Sequence, residues 1–190
     1  MTETQLEHRK ALPADFRALI DLYPRADWPS HPNVGGMAAF WLTRHDMFRG
    51  ISGVLGQSLG EVTAGRQSGP EFTKFFMPRL EFFLSSLRGH HEVEDMHYFP
   101  VFAAAEPKLK RGFDMLDRDH HVLHDALDAN AIGANGLLAA KGKDAFDRQL
   151  ESFAGGTALL VSLLGRHLDD EEDLIIPLIL DRGDAALGGI

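Results

Sequence analysis

The chain has no cysteine among its 190 residues. Disulfides, thiolate metal sites and cysteine nucleophiles are therefore excluded, and any transition metal must be held by nitrogen and oxygen. Positive charge is also scarce: 19 Lys and Arg stand against 28 Asp and Glu, a formal net charge of -9. Phosphate contacts need clustered basic residues, so the balance argues against nucleic acid as a partner. No apolar run approaches the ~20 residues that span a bilayer, and the polar opening lacks the apolar core of a signal peptide. A cytoplasmic location with no membrane contact is expected. Period-two alternation of β-branched residues, the signature of strands, is missing over any useful length. What remains is an all-α chain, whose 44% hydrophobic content is enough for one ordinary core.

The helical patterns run over roughly 34–65, 71–104, 107–138 and 144–182. Between them lie Ser68-Gly69-Pro70, Glu106-Pro107 and Lys141-Gly142-Lys143-Asp144, all turn chemistry. Proline is tolerated in a first turn, and Asp144 is placed to cap the last helix. Long helices with short connections predict an antiparallel up-down four-helix bundle over residues 34–183. Residues 1–33 form a lead-in with a short helix around Phe16, Leu19, Ile20 and Leu22, packed with Trp28 on the outside of the bundle. Residues 184–190 form a C-terminal tail.

Two stretches repeat one pattern: His90-x3-Glu94-Asp95-x4-Pro100 and His167-x3-Glu171-Glu172-x4-Pro177. Between them stands His120-x3-His124, and upstream a single His45 follows Phe40-Trp41-Leu42. Positions i and i+4 share a helix face, so each pair aims two donors at one place. In an up-down bundle, groups at one height on successive helices are equidistant from the joining loop. The residue midway between 45 and the 90/94 pair falls in Ser68-Gly69. The residue midway between that pair and the 120/124 pair is Pro107, and the third midpoint falls just beyond Gly142–Asp144. Each midpoint falls on or beside an independent turn signal, so one bundle places all seven groups at one level. His45, His90, Glu94, His120, His124, His167 and Glu171 are the candidate metal ligands.

His91-x3-Asp95 has the same spacing one residue out of step. Glu94 and Glu171 both lie six residues before a proline, and this common register assigns the inward face to His90 and Glu94. His91 and Asp95 are then expected beside the site as a surface or groove pair, with His121 peripheral. His97 is expected on the inward stripe, as a core histidine satisfied by a nearby carboxylate or, alternatively, as a proton donor near the metals. Five imidazoles and two carboxylates without thiolate suit iron first, then manganese or zinc, and seven donors exceed the needs of one ion. Trp41, Phe48, Phe83, Leu87, Leu123 and Leu164 are the expected apolar walls.

This ligand set resembles that of hemerythrin and the bacterial hemerythrin-like (HHE cation-binding) proteins, over approximately residues 40–180. His45-Asp46-x2-Arg49 is similar to the first-helix motif of the bacterial members, and Tyr98-Phe99-Pro100 and Ile175-Ile176-Pro177 match the helix ends. The last carboxylate is a Glu at +4, as in the bacterial pattern, where the animal proteins have an Asp at +5. The resemblance implies two iron ions with an oxo or hydroxo bridge. His120, His124 and His167 would hold one ion, His45 and His90 the other, and Glu94 and Glu171 would bridge them. It implies binding of O2, or of NO or peroxide, for sensing, storage or transport. The alternative is a di-iron enzyme acting on peroxide or NO, or a stress-response iron protein. The oligomeric state is left open.

Overall fold

A computed structural model describes residues 4–188. The outermost residues of the expected lead-in (1–3) and tail (189 and 190) lie outside the described residues. Among the described residues there are five α-helices: α1 (Gly36–Thr63), α2 (Gly69–Val93), α3 (Phe99–Ala105), α4 (Lys110–Ala139) and α5 (Lys143–Arg182). No strand occurs among the described residues, as the missing alternation required. The helix expected over 71–104 is not continuous: one π-helical turn, Glu94–Tyr98, separates α2 from α3.

Local chemistry sets the ends. Gly36 takes a φ of 53° at the start of α1, where the Asp184 carboxylate accepts a hydrogen bond from the Met37 amide at 3.0 Å. Gly65, at a φ of 69°, ends that helix. Ser68 and Glu71 cap α2 reciprocally: the Glu71 carboxylate accepts from the Ser68 amide at 3.2 Å, and the Ser68 hydroxyl accepts from the Glu71 amide at 3.4 Å. Pro107 opens the 3-10 turn leading into α4. At α5, Gly142 makes the turn with a φ of 83°, so Asp144 lies inside the first turn rather than capping it.

The chain divides into two compact units. The first takes the described part of Met1–Asp46 together with His91–His121 and the described part of Gly165–Ile190. Its core joins Leu12, Phe16 and Trp28 to Trp41, Phe99, Phe102, Phe113, Leu174 and Ile176. The lead-in is therefore part of this core, not an outer layer: Trp28 is 5% exposed. It forms 3-10 turns, Ala14–Phe16 and Arg25–Ser30; the short helix expected around Phe16 to Leu22 is confined to the first of these, and Leu22 points outward. The second unit, Met47–His90 with Val122–Leu164, buries Phe48, Leu55, Phe72, Phe76, Phe83, Leu87, Leu123, Leu127 and Leu160. Inside it the Thr157 hydroxyl donates to the Asn130 side chain at 2.8 Å. No helix among the described residues is long and apolar enough to cross a membrane.

Candidate metal centre

Two groups of metal-ligating side chains come together. In the first unit His91, His120 and His167 are all buried, and each offers a ring nitrogen within 4.8 Å of the others. His45, Glu94 and Glu171 make the second group. His90, one turn before Glu94 and covalently joined to His91 at the unit boundary, adds its fourth donor under the same limit. Six of the seven expected residues fall in these groups; His124, half-buried on α4, falls in neither.

His91 takes the third place beside His120 and His167. It is fully buried, its ring stacked on that of His120 at 4.0 Å with 7° between planes. The expectation of a peripheral His91 is corrected: one step along α2 turns a side chain by ~100°, which brings His91 to the group of His120 and His167 while His90 stays with the other. The π turn that follows closes i→i+5 hydrogen bonds in place of i→i+4. Counting in α-helical steps therefore loses register across 94–98, whereas α5 passes Pro177 without interruption. His97, expected in the core, is exposed within that same turn.

The two carboxylates lie where the groups meet. Glu171 has one oxygen 3.5 Å from His45 Nε2 and the other 3.1 Å from His167 Nε2. A Glu94 oxygen is 3.6 Å from His120 Nε2, which itself lies 3.2 Å from His167 Nε2. The Trp41 indole N–H donates to Glu171 Oε1 at 2.7 Å and fixes that carboxylate from one side.

Behind three of the histidines stands a further carboxylate. His45 Nδ1 is 3.0 Å from Glu172, His120 Nδ1 is 2.8 Å from Asp95, and His167 Nδ1 is 3.5 Å from Asp119. With the proton held on Nδ1, each Nε2 lone pair faces the cluster. Asp119 and Glu172 escape sequence reasoning although both adjoin ligand candidates, whereas Asp95 is expected beside the site but as a partner of His91, not of His120.

The electrostatics are those of a site built for cations. Burial, then the neighbouring Glu171, pushes the Glu94 carboxyl well above the usual carboxylate range. Burial also acts to raise Glu171, but His45 and His167 beside it hold it well below that range. Burial disfavours charge on His167, yet Asp119 and Glu171 raise it to about 9. Burial lowers His120, with Asp95 opposing. Imidazole and carboxylate donors, deprotonated by a bound cation, match a borderline divalent metal.

The family model described as "Hemerythrin HHE cation binding domain" matches residues 36–179. The chain belongs to the hemerythrin HHE cation-binding family. An uncharacterized protein of Haemophilus influenzae is 25% identical over 95 residues, covering 50% of this chain and 51% of that protein. The chain thus spans about half the length of the curated relative it matches. No solved structure matches it. Within the family match lie all the residues of both clusters, whereas the lead-in residues up to 35 fall outside it.

Proposed function

We propose that this hemerythrin-like protein holds two iron ions and binds O2, or the related ligands NO and peroxide, between its two donor clusters. The observation that carries this reading is the sharing of Glu94 and Glu171 by two buried clusters in a cation-binding family member. His91, His120 and His167 would hold one ion, His45 and His90 the other, with Glu94 and Glu171 bridging. His124 has no part in this assignment. Zinc or manganese would fit the same donors.

When bound, the iron pair supplies one-electron redox chemistry at each ion and an open position for a small ligand. The protein's own residues determine which side is open. Three imidazoles serve one position and two the other, so the side of His45 and His90 is one donor short. Trp41 holds Glu171 in place, and Glu172, Asp95 and Asp119 orient His45, His120 and His167. Burial of both carboxylates and of His45, His91, His120 and His167 keeps bulk water from the ligand.

Optical spectra of the reduced, iron-loaded protein in an anaerobic cell test the proposal. O2 should produce a coloured adduct that bleaches on argon purging. Irreversible oxidation with steady consumption of peroxide or NO would replace ligand binding by an enzymatic role. An iron content near zero after growth in iron-rich medium would refute the metal reading altogether.

A further inference from the structure

Residues 169–173 are five consecutive acidic side chains, and the middle three, Asp170, Glu171 and Glu172, are at most 2% exposed. Buried carboxylates are tolerated only beside cations or dense hydrogen bonding. Glu171 faces the clustered histidines; Asp170 is held in part by Arg166 one turn earlier, and both Asp170 and Glu172 are also reached from the N-terminal segment. Arg9 is buried: its Nε donates to Asp170 at 2.6 Å, its Nη1 to Asp119 at 3.3 Å, and its Nη2 makes a second, shorter bond to Asp119. Its Nη1 also donates to the Thr4 carbonyl at 3.0 Å, tying the guanidinium to its own segment. Arg25 donates to Glu172 and to Asp173, both at 2.6 Å, and to the Asp169 carbonyl at 2.8 Å, with its guanidinium 4.8 Å from the Trp28 ring.

Two chains of contact result: Arg9 to Asp119 to His167, and Arg25 to Glu172 to His45. One ends in each donor cluster. The outer partner of His120 is different in kind. Asp95 is 29% exposed and lines a surface pocket shared with Lys110, Asp114 and Asp117.

We propose that Arg9 and Arg25 are positioning residues for the metal pair, one for each ion, acting through the carboxylates that orient His167 and His45. This rests on the metal reading above, and it places part of the site in a segment that the family match does not include. A planar guanidinium bonded to two carboxylates fixes their rotation; an ammonium supplies the charge without the fork. An Asp119 or Glu172 free to turn no longer fixes the tautomer of its histidine, and outer-partner changes of this kind cost about 10–100-fold in metal affinity.

Cobalt(II) titration of the full-length protein, followed by visible absorption and by paramagnetically shifted proton NMR, provides the test. Wild type should bind two cobalt ions and show shifted, exchangeable imidazole N–H signals. Arg9→Lys should weaken one ion by about 10–100-fold and lose the N–H signal of His167, leaving the other ion unchanged. Arg25→Gln should do the same to the other ion and His45. Arg17→Gln is the control, since Arg17 pairs with the exposed Asp21 in an i,i+4 contact. Arg25 is partly exposed, so its variant decides the matter if the buried Arg9 variant does not fold. Two ions bound at wild-type affinity with all N–H signals kept would overturn the proposal. So would loss of both ions in step with circular dichroism, which marks a purely structural role. Wild type binding no cobalt would instead defeat the metal reading itself.

Discussion

Asp119 and Glu171 together lift His167 from an ordinary 6.5 to about 9 against the effect of burial. A folded-state pKa above the unfolded one contributes stability that is complete below about 6.5 and is lost as the pH rises through about 9. A metal needs the neutral ring, so ions and protons compete for Nε2. Zinc binding should therefore release protons, with affinity rising as the pH increases towards about 9. Calorimetry in buffers of different ionisation enthalpy measures that release, and a buffer-independent enthalpy across this range contradicts the argument. The choice between two histidines is also made at this scale. His91 is buried against His120, and His124 is outside both clusters. His91→Ala should reduce bound iron to one ion per chain or fewer, while His124→Ala keeps both. Metal analysis of the purified variants checks this, and the reverse outcome restores the α-helical register.

At the scale of elements, two consecutive residues of α2, just before the π turn Glu94–Tyr98, reach different donor groups. Successive side chains on a helix point ~100° apart, so His90 and His91 diverge towards different donor groups, and Glu94 follows within the turn. Met96 is the natural residue to delete, being 71% exposed in the middle of that turn. Its removal should restore continuous i→i+4 bonding, rotate either Glu94 or Phe99 from its place, and cost at least half the bound metal with helicity retained. Full metal content in the deletion variant would show that the turn is incidental. The same turn marks the limit of what the sequence disclosed. Helix extents, separators and six of the clustered donors were legible because apolar period, proline, glycine and His-x3-Glu spacing each have a physical cause in composition. An i→i+5 turn has no such composition, so the α-helical stripe misplaced His97, and the common proline spacing, which kept His90 and Glu94 among the donors, left out His91.

For the whole molecule, the N-terminal segment matters more than its polar sequence suggested. Its apolar residues are few and irregularly spaced, so no periodicity shows that they complete a core, and Arg9 lies in the polar opening of the chain. Yet Leu12, Phe16, Ile20 and Trp28 are each at most 6% exposed in the core of the first unit. Fully burying a large apolar side chain contributes about 1.5–3 kcal/mol, so four such residues approach the ~5–15 kcal/mol that stabilises a whole domain. A chain begun at residue 34 would lose them and expose their partners, among them Ile175 and Ile179. It would also strip Arg9 from Asp119 and Asp170, and Arg25 from Glu172. That chain should keep much of its far-ultraviolet dichroism, lose near-ultraviolet dichroism and bind a hydrophobic dye, the signs of helices without fixed packing. Excess zinc should not rescue it, because the carboxylates behind His45 and His167 are then unsupported as well. A shortened protein that melts at the wild-type temperature and binds two ions would show that residues 34–190 are sufficient for both fold and site.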